Sequence, residues 1–329
     1  MKLRETLAFF MNNINKPEIY QGFGKTQQYF EGWYFKLVSK DQLTSLALIP
    51  GISLAKKDPH AFVQVFLVRH GAKPTLKNIY IRYQVSEFIP DKNQFKVAVG
   101  MNQFSLEHLH LDLKQEGLVI KGDLQILNPT PLNQGFLNPS IMGPFAYVPK
   151  MECYHGVISL LHTFKGSLNI NGEHINFTDG KGYLEKDWGT SFPSSYVWMQ
   201  GNHFPEAQTS FFFSYANIPY LGLKFQGLIC HLYLQGKHYR FATYNGGRVR
   251  SELIEEKQVE YVLSRGVYRL RIVGSIDHVV NLPSPKFGKM DHTIKEGLTG
   301  EILIWLMKGK TIVYQGKTTL AGIEIMKKK

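Results

Sequence analysis

The sequence predicts an all-β protein of antiparallel strands closed into barrels or sandwiches, with few short helices. Three observations carry this. Short apolar runs with period-two alternation recur along almost the whole chain, as half-buried strands require. Turn-forming clusters (NGE, QGK, NGG, KGK) separate them at hairpin distances. Aromatic residues make up 13% of the chain, with 22 Phe and 17 Tyr, and strands favour such side chains.

The first strands are GWYFKLVS (32–39), LTSLALIPG (43–51), AFVQVFLVRHG (61–71) and NIYIRYQVSEF (78–88). FKVAVG (95–100) and LVIKGDLQIL (118–127) continue the series. Residues 128–150 interrupt it with five prolines and many small residues, which reads as a lid or packed crossing rather than a linker. Alternation resumes at MECYHGVISLLH (151–162) and GYLEKDWG (182–189). GTSFPSS (189–195) is a second break and the preferred domain boundary, giving domains 1–190 and 191–329. Beyond it come SYVWMQGNHF (195–204), TSFFFSYANI (209–218), GLICHLYLQG (227–236) and KHYRFATYNGG (237–247). VYRLRIVGS (267–275) and a long hairpin over 298–325 complete the pattern. No helix longer than about two turns is expected outside residues 1–15.

A chain of 329 residues accommodates two domains of ordinary size, and 43% hydrophobic with 19% charged residues is globular composition. Cys153 and Cys230 can form no disulfide framework and lack metal-ligand spacing, so they read as reduced thiols of a cytoplasmic protein. The N-terminal Lys2 and Arg4 precede an apolar run of only Leu7 to Met11, too short for a secretory signal. No segment approaches the ~20 apolar residues of a membrane-spanning helix. The formal charge of +12 comes from scattered positives, apart from Lys327–Lys329 and Arg265, Arg269 and Arg271. No nucleic-acid-binding motif accompanies them, whereas weak contact with an anionic membrane surface fits a basic, otherwise soluble protein.

Chemistry concentrates in GYLEKDWGTSFPSSYVWMQGN. On a strand, Tyr183, Glu185 and Asp187 share one face, with Leu184, Lys186 and Trp188 on the other. Were the first face to line an apolar cavity, desolvation would keep one carboxyl protonated as a general acid. From residue 196, Tyr196, Trp198, Gln200 and Asn202 fall together, a ligand wall with a few placed polar groups. A second polar cluster, Glu152, Tyr154 and His155, stands at a strand entrance. Glu31 precedes Trp33 in YFEGWYFKL, a run that resembles the opening strand of lipocalin-like barrels, whose Trp plugs the barrel end. His108 and His110 share a strand face without a third ligand at metal spacing, so no metal site is expected. Walker, Rossmann and serine-elbow patterns are absent.

Together, FEGWYFKL (30–37), YVPKMECYHGV (147–157) and GYLEKDWGTSFPSSYVWMQGNHF (182–204) resemble the tocopherol cyclase family. The carrying residues are Gly182, Tyr183, Glu185, Lys186, Asp187, Trp188, Gly189, Phe192 and Pro193, then Trp198, Gln200 and Asn202. A more distant likeness is to carotenoid 1,2-hydratases and related two-barrel proteins. The resemblance implies two packed lipocalin-like β-barrels and a cofactor-independent enzyme. Its reaction would be protonation of a prenyl double bond, with the cation captured by a phenolic oxygen or by water. It further implies Glu185 as the acid, Asp187 ionised beside Lys186, and Tyr183 and His155 relaying the proton. Trp188 and Trp198 would wall the cation through their ring quadrupoles. Gln200 and Asn202 would hold a prenylated quinol, with Tyr154 and Glu31 completing the pocket. The alternative is a non-catalytic carrier of an isoprenoid or other lipid in the same pocket.

Overall fold

The computed structural model describes residues 13–220 and 222–326, so the helix candidate at the N-terminus and the terminal lysines lie largely outside the described residues. Among the described residues the strands form two sheets of antiparallel neighbours. The first contains β1 (Tyr29–Val38), β2 (Thr44–Leu54), β3 (Pro59–Arg69), β4 (Thr75–Tyr83), β5 (Phe88–Pro90) and β6 (Lys96–Val99). It continues with β7 (Asn102–Ser105), β8 (His108–Gln115), β9 (Leu118–Leu127), β10 (Cys153–Ile170), β11 (Glu173–Asn176) and β12 (Lys181–Gly189). The second contains β13 (Tyr196–Gly201), β14 (Thr209–Tyr220), β15 (Leu223–Leu234), β16 (Lys237–Ala242) and β17 (Arg248–Ile254). Its remaining strands are β18 (Gln258–Arg265), β19 (Tyr268–Ser275), β20 (Val280–Lys286), β21 (Lys289–Lys308) and β22 (Thr311–Met326).

The two sheets repeat one topology. The first runs β4-β3-β2-β1-β12-β10-β9-β8-β7-β6-β5 and the second β16-β15-β14-β13-β22-β21-β19-β18-β17. In each, the first strand pairs with the last, and the two sheet edges are consecutive strands. Short 3-10 turns, Val85–Glu87 and Thr243–Asn245, join those edges. In the first sheet Asn102 Nδ2 of β7 also reaches across to the β4 edge, donating to Tyr83 Oη at 3.2 Å. Each sheet curls around its own apolar core, as the alternation demands. Trp33, Phe35 and Leu37 of β1 and Leu109, Leu111 and Leu113 of β8 face the first core. Met199, Phe211, Phe213, Cys230 and Ile323 face the second. The expected all-β, two-barrel lipocalin-like fold is the fold observed.

Two compact units follow these barrels, residues 1–192 with 283–292, and 193–282 with 293–329. The far end of the β20–β21 hairpin therefore belongs to the first unit. A single cut in the sequence could not show this, because a hairpin tip carries no local signal of what it packs on. Here Gly288 N–H donates to the Thr190 carbonyl at 2.6 Å, and Ser53 Oγ donates to the Gly288 carbonyl at 2.5 Å. Among the described residues no helix is long and apolar enough to cross a membrane.

Trp33 plugs the first barrel as its motif suggests. It is fully buried, stacks on Phe95 with centroids 5.6 Å apart, and donates its indole N–H to the Glu18 carbonyl at 2.7 Å. Residues 18–21 thereby strap one end of the barrel.

Candidate active site

Strand β12 lies between β1 and β10, which makes it the hub of the site. Tyr34 stands directly opposite Glu185, Trp33 opposite Lys186, and Lys36 opposite Tyr183. On the other side Val157 opposes Glu185 and His155 opposes Asp187. Two register shifts in β10, between Val157 and Ser159 and between Ser159 and His162, bend that strand beside the site. Gly189 ends the motif because nothing larger fits. Its φ is +147°, and a Cβ there would sit 2.2 Å from the Glu152 carbonyl oxygen.

Alternation divides the motif's charges between two environments. Tyr183, Glu185 and Asp187 share a face with His155, as expected for the first three. His155 Nδ1 lies 2.8 Å from Asp187 Oδ1, and its Nε2 lies 3.4 Å from Glu185 Oε2. Tyr183 Oη donates to that same Glu185 oxygen at 2.6 Å. Tyr183 and Glu185 are buried, whereas the Asp187 side chain keeps 26% exposure. Burial alone would pull the His155 pKa down. The two carboxylates outweigh it and push the imidazole up to about 10, so it is an imidazolium at neutral pH. Tyr183 is held neutral, its pKa pushed well above 10 by burial and by the Glu185 carboxylate.

The face carrying this cluster is not the lumen. Leu184 belongs to the first barrel's apolar core and Trp188 packs against it, so Tyr183, Glu185 and Asp187 project from the opposite side of the sheet. The expectation of an acid inside the barrel is corrected accordingly. Both sides of β12 are buried, so burial could not tell them apart.

The lumen face carries a separate ion pair. Lys186 Nζ meets Glu31 Oε1 at 2.5 Å, and neither side chain has any exposure. Lys186 also donates to the Ile19 carbonyl at 2.5 Å and sits over both Trp33 and Trp188, 4.8 and 4.6 Å from their centroids. Glu31 accepts from Tyr29 Oη and from the Gln21 backbone N–H. Burial pushes its carboxyl pKa up against the pull of Lys186, and burial likewise pushes Lys186 down against Glu31.

Three assignments change with this geometry. The cation beside Asp187 is His155, because Lys186 points the other way. Glu31 is spent on Lys186, Tyr29 and Gln21 and has no capacity left for a ligand. Trp188 already carries Lys186 over its ring and stacks on Tyr154 at 5.5 Å, so it does not wall a cation beside Glu185. Tyr154 itself donates to the Val148 carbonyl at 2.8 Å. A narrow cavity adjoins this stack, lined by Gln21, Ser140, Met142, Ala146, Tyr154 and Trp188.

Trp198, Gln200 and Asn202 are all buried, and alternation places Tyr196, Trp198 and Gln200 together as read from sequence. They project opposite Val197 and Met199, which face the second barrel's core. Strand β13 does not neighbour β12: it pairs with β14 and β22 in the second sheet. The two halves of the motif are thus not a strand pair, because first-to-last closure of each barrel overrides pairing of sequence neighbours. Tyr196 Oη donates to Glu324 at 2.6 Å.

Sequence reasoning missed Tyr34 and Lys36. They join the Glu185 side of the sheet, and Lys36 is 1% exposed there. Alternation in GWYFKL set both apart from Trp33, which was the available signal. His108 and His110 share Asp123 on an exposed face of β8 and β9, at 3.1 and 2.9 Å. Among the described residues, the ligand atoms close enough to hold a metal ion belong instead to His155, Glu185 and Asp187, all within 4.8 Å of one another. Because each ring nitrogen faces a different carboxylate, the arrangement matches a bridging imidazolium better than a ligated metal, which would take one nitrogen only.

The sequence model of the tocopherol cyclase-like family matches residues 139–326, more than half of the chain. The chain belongs to that family. Within the match lie His155, the whole GYLEKDWG motif and the second barrel. No curated protein matches this sequence. Among solved structures, CghA crystallised with Sch210972 aligns over 92% of this chain and 89% of its own at 11% identity, with a TM-score of 0.59. A protein assigned as AttH from Nitrosomonas europaea aligns over 91% and 93% at 13% identity, with a TM-score of 0.53. Kievitone hydratase from Nectria haematococca aligns over 94% of both chains at 11% identity, with a TM-score of 0.52. At these identities the likeness establishes the shared fold.

Proposed function

We propose that this protein is an acid catalyst that cyclises a prenylated quinol or a related isoprenoid. The observation that carries the reading is the His155 imidazole held between Asp187 and Glu185, with Tyr183 on the same Glu185 oxygen. Membership of the cyclase-like family supports it.

In the resting site the shared proton resides on His155. An apolar substrate that displaces water lowers the local dielectric and disfavours the separated charges, shifting that proton from Nε2 to Glu185. Protonated Glu185 then donates to the less substituted carbon of a trisubstituted alkene. The alkene's π electrons form the new C–H bond and leave a tertiary cation. A phenolic oxygen of the same molecule donates a lone pair to the cation, closing the ring. The phenolic proton returns to the Glu185–His155 couple, so the reaction is an isomerisation with no net proton change. Tyr183 stabilises the Glu185 carboxylate left behind, and Asp187 keeps His155 oriented and charged. General-acid help of this kind is typically worth ~10²–10⁴-fold.

The test is incubation with a prenylated hydroquinone in D₂O. The reading expects a cyclised product carrying one non-exchangeable deuterium at the new methylene. Retention of the intact quinol as a bound, unconsumed ligand overturns it in favour of a lipid carrier.

A further inference from the structure

The proline-rich segment between β9 and β10 ends in a small, ordered, greasy tip. Gly135 and Asn138 exchange backbone hydrogen bonds of 3.1 and 2.9 Å, leaving Phe136 and Leu137 as the two tip residues. Phe136 is 85% exposed and Leu137 67%. The tip is braced from behind, since Tyr147 Oη donates to the Phe136 carbonyl at 2.7 Å and the two rings lie 6.2 Å apart. Two adjacent large apolar side chains held out on a hydrogen-bonded turn are a costly exposure for a soluble surface. Nothing in the strand pattern requires them there.

The electrostatic surroundings select one partner. No Asp or Glu occurs from residue 124 to residue 151, and the one charge in that stretch is the exposed Lys150. The chain as a whole carries +12. A protruding apolar pair free of nearby acidic sequence, on a strongly basic protein, suits insertion among anionic lipid headgroups rather than a flat protein partner. The same segment also reaches the catalytic cluster. Met142 Sδ accepts the His155 backbone N–H, and Ser140, Met142 and Ala146 line the cavity beside Tyr154.

We propose that the Phe136–Leu137 tip docks the protein on anionic lipid bilayers. The tip enters the headgroup layer while the other end of the segment stays against β10. This inference does not rest on the cyclisation chemistry and can fail independently of it.

The experiment is flotation with vesicles of phosphatidylcholine alone and of phosphatidylcholine mixed with phosphatidylglycerol. The wild-type chain is compared with a Phe136→Ser/Leu137→Ser double variant, and thermal melting confirms that both are folded. The proposal expects wild-type binding to the anionic vesicles that weakens with salt, and binding at least about tenfold weaker in the double variant. A Phe136→Trp variant is expected to show a blue-shifted emission increment on those vesicles. Equal binding by the double variant, equal binding to both vesicle types, or no binding by the wild type would overturn the proposal.

Discussion

The Nδ1 of His155 lies 2.8 Å from the carboxylate of Asp187, on the face of β12 that turns away from the first barrel's core. This contact, with the Glu185 carboxylate on the opposite ring nitrogen, makes a proton reservoir on the outside of a barrel wall. Its consequences can be measured without knowing the substrate.

The first consequence is a pH dependence of stability. The folded His155 pKa of about 10 lies above its ordinary value of 6.5, so the native state holds a proton that the unfolded chain releases. The stabilisation is complete below about pH 6.5 and is lost as pH rises through about 10. The wild-type melting temperature is expected to fall across that window, and a His155→Gln variant to fall less steeply. Parallel slopes would show that His155 is not charged.

Replacing Asp187 by Asn keeps an acceptor for Nδ1 but removes its charge. The His155 pKa is expected to drop, read directly by NMR titration of ring-labelled histidine. Turnover should lose its alkaline limb earlier, and the melting temperature should fall at pH 6, where the wild-type stabilisation is complete. An unshifted His155 titration would exclude Asp187 as the source of its charge.

On the other face of β12, Lys186 and Glu31 form a pair with no solvent access. Lys186→Met leaves a buried carboxylate without its cation and is expected to cost about 3–5 kcal/mol in denaturant unfolding. Adding Glu31→Gln removes the stranded charge and should recover a good part of that loss. If the double variant is as unstable as the sum of the singles, the two side chains are not coupled.

Trp33 offers a packing test at the strapped end of the same barrel. Trp33→Ala empties a site sandwiched by Phe95 and Lys186 and is expected to cost about 3–5 kcal/mol, with Trp33→Phe losing much less. Equal losses for both variants would point to the Glu18 hydrogen bond, rather than packing, as the larger contribution.

The period-two pattern made the fold legible, since runs such as HLHLDLKQ in β8 leave one face apolar and one polar. It also separated Glu185 from Lys186 correctly. It could not say which face of β12 looks inward, because both sides of that strand are buried and neither is simply apolar. Pairing is not legible where the chain closes on itself: residues 182–189 and 196–202 are near in sequence, yet closure pairs the first with β1 and the second, the opening strand of its own barrel, with β22. Lys36 stayed hidden because a lysine in an amphipathic strand ordinarily faces water, and here it does not. His155 stands out in a polar cluster with Glu152 and Tyr154, but its role beside the acid comes only from the family likeness, since no spacing rule links it to a carboxylate 32 residues away.

The most direct test of the acid assignment is Glu185→Gln assayed on a prenylated hydroquinone, with ligand binding followed in parallel. Gln preserves the side-chain volume and an acceptor for Tyr183, but it cannot take up and deliver the proton. The account predicts turnover reduced by about 10²-fold or more with quinol binding retained. Turnover at the wild-type rate would contradict it.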